Sequence, residues 1–129
     1  MSGRVVHFEI PFDEGERARG FYREAFGWDL MEFPGMDYTI VTTGPTAEQG
    51  PPSEPGFING GMLQRGMNPA NGPVVVVEVD DIDAALEKIG GLGGRTVVGK
   101  TTVGDMGFSA YFTDPEGNVI GLWENAWQG

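Results

Sequence analysis

The chain contains a single histidine, His7, and a glutamate follows it two residues later at Glu9. In an extended strand that spacing puts both side chains on one face. An imidazole beside a carboxylate can act as an acid-base couple or anchor a ligand, because histidine titrates near neutrality. The plainer alternative is a polar residue held by Glu9 or by water. Nothing nearby supplies a nucleophile or an oxyanion hole. Asn59 adds an amide that can both donate and accept, although a surface position would explain it equally well. Later in the chain, Val74, Val76 and Glu78 share one face of another strand. Val119, Gly121 and Trp123 share one face of a third, bringing a bulky ring and a gap that a small molecule or water could fill. Trp123 filling that gap itself is the competing reading.

Other groups read as structural. Phe21, Tyr22 and Phe26 recur at helical spacing and are expected in the core between helix and sheet. The acidic run from Asp80 to Asp83 suits a helix start and lacks the twelve-residue ligand pattern of a calcium loop. Glycines from Gly90 to Gly94 follow a helix instead of opening one, so they make no phosphate cradle. There are no cysteines, which removes disulfides, thiolate metal sites and cysteine nucleophiles together.

The elements that must position these residues alternate clearly. Arg4 to Phe12 reads as a strand, with Val6, Phe8 and Ile10 on one face and His7 and Glu9 on the other. A helix is expected from Glu14 to Phe26, with Ala18, Phe21, Tyr22 and Ala25 on its apolar face, Asp13 as its cap with Glu16 three residues on, and Gly27 at its end. Trp28 to Phe33 and Met36 to Thr43 form a hairpin around Pro34 and Gly35, followed by a Pro/Gly-rich loop from Gly44 to Gly56. Phe57 to Arg65 resumes as a strand, and Gly66 to Pro73 reads as a linker. Beyond it come a strand from Val74 to Val79 and a helix with Ile82, Ala85, Leu86 and Ile89 buried and Gly90-Gly91 as its stop. Strands at Arg95 to Lys100, Phe108 to Thr113 and Asn118 to Glu124 follow, the last two joined by a type I turn at Asp114-Pro115-Glu116-Gly117.

Shifted by 67 positions, the halves coincide: Asp13 falls on Asp80, Glu16 on Asp83, Ala18 on Ala85 and Gly27 on Gly94. An internal repeat explains the shared order of elements. The expected fold is α+β, a single domain over residues 1–129 built from two βαβββ modules, 1–65 and 74–129, joined by 66–73. Each module carries its helix on one sheet face, so its other face must be covered or enclose a ligand.

The 129 residues suit one ordinary domain. The net charge of −11, from 19 acidic and 8 basic residues, disfavours nucleic acid as a partner. No apolar run approaches the roughly 18 residues needed to span a bilayer, so neither a membrane anchor nor a signal peptide is expected and the cytoplasm is the default location.

The segments VVHFEIPF, RGFYREAFGWDL, VVVVEVDDIDAALEKI and above all YFTDPEGNVIGLWE resemble the glyoxalase/bleomycin-resistance/extradiol-dioxygenase (vicinal oxygen chelate) superfamily. The resemblance covers nearly the whole chain except the loop from Gly44 to Gly56. It implies curled mixed sheets around a cup, helices outside, a homodimer, and in catalytic members a divalent metal such as zinc, nickel or iron held by strand side chains. Those ligand positions fall here on His7, Gly61, Val74 and Gly121, of which only His7 carries a ligating group, and one imidazole does not define such a site. Glu9 and Glu78 are the available substitutes. The function so implied is small-molecule binding in the cup without metal-dependent catalysis, the alternative being a metal-dependent lyase, isomerase or dioxygenase.

Overall fold

A computed structural model describes residues 3–33, 38–46 and 52–126. The breaker pair Pro34-Gly35 and the middle of the loop from Gly44 to Gly56 lie outside the described residues. The elements run β1 (Val5–Phe12), α1 (Gly15–Phe26), β2 (Asp29–Glu32), β3 (Tyr38–Thr42), β4 (Asn59–Gln64), β5 (Val74–Glu78), α2 (Ile82–Gly91), β6 (Arg95–Val103), β7 (Gly107–Thr113) and β8 (Val119–Asn125). The fold is therefore α+β with the βαβββ order occurring twice. Two compact units divide the chain: residues 7–73, and residues 74–129 together with 1–6.

In the unit of residues 7–73 the strand order is β2-β3-β4-β1. β1 runs parallel to β4 with His7 opposite Asn59 and Glu9 opposite Gly61, while β3 is antiparallel to both β2 and β4. Alternation sorts the side chains. Phe8, Ile10 and Phe12 pack with Ala18, Tyr22 and Trp28 around buried Leu30, Val41 and Met62, which places α1 over this face. His7 and Glu9, one residue out of phase, take the opposite face. Each fully buried aliphatic side chain in such a cluster contributes about 1.5–3 kcal/mol.

Helix α1 ends at Gly27 in the left-handed conformation, as expected, but begins differently. Glu14 occupies the cap position without a side-chain hydrogen bond. Asp13 instead accepts from Arg65 Nε at 2.9 Å, so the carboxylate ties the strand end to β4's exit and does not close the helix. The exposed rim of α1 carries Phe21 and Phe26, both more than half exposed, so the expected aromatic core is only partly formed. Tyr22 stacks on Trp28 with ring centres 5.1 Å apart and planes 3° from parallel.

The other unit repeats the plan with strand order β5-β8-β7-β6. β5 is parallel to β8, and β8 is antiparallel to β7. Ile82, Ala110 and Leu122 are its buried centre, flanked by Val77, Ala85, Leu86, Ile89, Phe108 and Phe112. Asp81 caps α2 by accepting from the Ala84 N–H at 3.1 Å. Glu124 on β8 accepts from the Ile82 N–H at 2.8 Å, a second cap delivered from the sheet. β6 runs three residues past the expected Lys100, because β-branched Thr101, Thr102 and Val103 continue its pairing with β7.

The turn joining β7 to β8 forms as the sequence demands. The Gly117 N–H reaches the Asp114 carbonyl at 3.0 Å, and Gly117 has φ +86°, a conformation open to glycine. Asp114 Oδ1 accepts from the N–H groups of Glu116 and Asn118. The Asn118 side chain, followed by these backbone donors, holds the Asp114 carboxyl below its ordinary pKa.

Candidate functional site

On the β1 face turned away from α1, His7 and Glu9 meet a third side chain. Tyr38, the first residue of β3, places its hydroxyl 2.9 Å from His7 Nε2 and 3.4 Å from Glu9 Oε2, donating to the latter. Glu9 is buried, and its other oxygen accepts from Asn68 Nδ2 at 2.9 Å. Asn68, itself buried, is oriented by the Ala70 N–H, which donates to its amide oxygen at 3.0 Å. Burial lowers the His7 pKa, the charge of Glu9 opposes that shift, and burial wins. This shift favours the neutral form of the imidazole, which lies beside a phenol and a carboxyl group.

Two consecutive glycines make room for this arrangement. A Cβ on Gly61 would overlap the Tyr38 ring and hydroxyl, and one on Gly60 would meet the Phe8 ring from the opposite side of the sheet. At these two positions β4 is bare, one on each face, with an aromatic ring laid over each. Gly61 is one of the positions where the sequence comparison expected a metal ligand, and here the phenol of Tyr38 covers it.

Asn59 is next to His7 in register, but its amide serves the loop after β3. Its oxygen accepts from the Thr43 N–H and its nitrogen donates to Thr46 Oγ1, both at 2.8 Å. In the other unit, Val74 and Val76 are buried, and Val76 is opposite Gly121. A Cβ on Gly121 would meet Val76, Tyr111 and Val74 within 3.6 Å, so apolar side chains crowd that gap. Val119 is opposite Thr113 at the start of β8. Glu78 is opposite Trp123, and the two are linked through Asn125, which accepts from the indole N–H at 2.8 Å and donates to Glu78 Oε2 at 2.8 Å.

The sequence reading paired His7 with Glu9 on one face but did not anticipate Tyr38 or Asn68 beside them. Asn68 belongs to a stretch without periodicity. Tyr38 follows a breaker, although the Gly60-Gly61 pair inside a strand was a signal that another group approaches closely.

These residues do not fit a divalent metal. Among the described residues no three His, Cys, Asp or Glu side chains gather as a ligand set. His7 Nε2 is engaged by Tyr38, Glu9 is held by Tyr38 and Asn68, and the corresponding positions of β5 and β8 are valine and glycine. A separate open groove of about 380 Å³ lies on the α1 side of β1, lined by Ile10, Phe12, Ala18, Phe21, Tyr22 and Met62 among others. Its two arginines, Arg17 and Arg65, are already paired with Glu14 and Asp13.

A family model described as bleomycin resistance protein-like N-terminal matches residues 4–44, the segment that holds His7, Glu9 and Tyr38. CFP32 of Mycobacterium bovis and of Mycobacterium tuberculosis, named in both as a candidate glyoxylase, is 31% identical over 121 residues, 90% of this chain. These matches indicate the glyoxalase/bleomycin-resistance (vicinal oxygen chelate) superfamily. It spans 43% of the length of those mycobacterial relatives. Solved structures of similar fold include methylmalonyl-CoA epimerase from Mycobacterium tuberculosis, at TM-score 0.64 and 17% identity over 98% of this chain and 89% of that one. Streptomyces coelicolor methylmalonyl-CoA epimerase bound to 2-nitronate-propionyl-CoA superposes at TM-score 0.68 and 16% identity over 98% of this chain and all of that one. The Bacillus halodurans protein BH1468 does so at TM-score 0.66 and 13% identity, covering 100% and 99%.

Proposed function

We propose that this chain binds a small molecule through the polar face of its first module, as a bleomycin-resistance-like binder and without metal-dependent catalysis. The observation that carries this reading is the Tyr38 phenol lying over Gly61 and joined to His7 and Glu9. It converts a position suited to a metal ligand into a hydrogen-bonding surface. Such a surface, with few convergent polar groups beside apolar ones, suits recognition of a compact organic ligand. The competing reading is a divalent-metal-dependent lyase, isomerase or dioxygenase, with which the glyoxylase name of the mycobacterial relatives is compatible.

Elemental analysis of the purified protein separates the two. The binder is expected to hold no stoichiometric zinc, nickel or iron, whereas one equivalent that disappears in His7→Ala would overturn the proposal. A thermal-shift screen of small molecules supplies the positive arm. A ligand present at a hundred times its dissociation constant adds about 2.7 kcal/mol of stability, and that gain should be lost in His7→Ala.

A further inference from the structure

The sequence contains the pair Asn-Gly twice, at Asn59-Gly60 and at Asn71-Gly72, and the fold treats the two oppositely. An asparagine before a glycine can lose its side-chain amide spontaneously, because the following backbone nitrogen swings onto the side-chain carbon when no Cβ restricts it. At Asn59 both parties to that attack are held. The amide oxygen accepts from the Thr43 N–H and the amide nitrogen donates to Thr46 Oγ1, both at 2.8 Å, while Gly60 lies in β4 between Phe8 of β1 and Val41 of β3. At Asn71 neither party is held. The residue is exposed in the irregular segment between β4 and β5, and neither its side-chain amide nor the Gly72 N–H has a hydrogen-bond partner among the described residues.

The one atom of Asn71 that is fixed is its carbonyl oxygen, to which Arg65 Nη1 donates at 2.6 Å. Arg65 is itself anchored, its Nε to Asp13 Oδ1 at 2.9 Å and its backbone N–H to the Phe12 carbonyl at 2.8 Å. Loss of the amide begins when hydroxide removes the proton of the Gly72 N–H. The negative charge that results is shared between the Gly72 nitrogen and that same carbonyl oxygen of Asn71. A guanidinium already donating to the oxygen stabilises the charge as it forms, as a fixed donor does in an oxyanion hole.

We propose that Asn71 is a self-modification site of the folded chain, in which Arg65 promotes attack of the Gly72 nitrogen on the Asn71 side chain. The N–Cγ bond forms and closes a succinimide ring, and the Cγ–Nδ2 bond breaks. The departing nitrogen takes a proton from water and leaves as ammonia, which regenerates the hydroxide. Water then opens the ring at either carbonyl. Opening at Cγ leaves aspartate at position 71. Opening at the backbone carbonyl leaves isoaspartate, with the chain rerouted through the side chain and a carboxylate where Arg65 held a neutral oxygen. Both products add one negative charge. The Ala70 N–H next to it orients Asn68, and Asn68 holds Glu9, so the altered backbone lies one residue from the support of the His7 face.

Incubation of the native chain at mildly alkaline pH, followed by peptide mapping with mass spectrometry, tests the proposal. A gain of one dalton is expected at position 71, growing with time and with pH, while Asn59 stays intact. In urea both pairs lose their surroundings, so Asn71 should slow and Asn59 should accelerate until their rates converge. Arg65→Ala should slow the conversion of Asn71 about five-fold, the effect of losing one hydrogen bond. Gly72→Ala adds a Cβ that meets nothing within 4 Å, so it should suppress the conversion with the fold intact. An Asn71 that survives in the native chain, or that reacts no faster folded than in urea, overturns the proposal, as does an unchanged rate in a folded Arg65→Ala. Should Arg65→Ala fail to fold, the native chain with and without urea still decides.

Discussion

His7 joins the chemistry of the site to its stability. Its pKa is lower in the folded chain than the ordinary value of roughly 6.5, because burial penalises the imidazolium more than Glu9 stabilises it. A depressed value means that the unfolded chain takes up the proton first. The stabilising contribution is complete above the unfolded pKa and is lost as pH falls toward the folded one. Urea midpoints measured at pH 7 and pH 5.5 should therefore fall more steeply for the native chain than for His7→Gln, which cannot become charged. Equal slopes would show that the imidazole is not buried as described. At this scale the sequence was informative about polarity and phase. It placed His7 and Glu9 on one face but gave no direct sign of Tyr38, because the contact joins residues 31 positions apart and depends on a missing side chain at Gly61.

The two helices show what local sequence can and cannot specify. Both have acidic residues at their start, yet only α2 receives a side-chain cap from its own N-terminal region, from Asp81. Its first amide is satisfied by Glu124, 42 residues later in the chain, and Glu124 also accepts from Lys100 Nζ at 3.3 Å. Glu124→Ala should leave the Ile82 N–H buried without its partner and cost about 1–3 kcal/mol, read from chemical denaturation. Glu124→Gln keeps an oxygen acceptor and should recover most of that loss. If both variants were as stable as the native chain, the sheet-to-helix bond would carry no weight. The order and type of all described elements were legible from periodicity and turn residues, and the turn at Asp114 to Gly117 most plainly. The end of β6 and the true role of Asp13 were not, because strand pairing and an ion pair with Arg65 override local preference.

The whole chain is acidic, with net charge −11, and like-charged copies repel. The homodimer that the family resemblance implies should therefore depend on screening, since the Debye length shrinks from about 30 Å at 0.01 M salt to about 8 Å at 0.15 M. Light scattering is expected to report a mass near twice 13.9 kDa at the higher salt and to drift toward the single-chain value at the lower. A single-chain mass at both would rule that dimer out. The superfamily assignment was already legible in the sequence, because its signatures are spread along the chain, whereas the departure from a metal-binding set emerged position by position. That departure constrains the order in which the protein could change. An acidic side chain at position 61, one of several steps toward rebuilding a metal centre, would collide with the phenol opposite as it now lies. An evolutionary or engineered path to a metalloenzyme that trims Tyr38 first avoids that collision, whereas the same two substitutions made in the other order must first push the phenol aside.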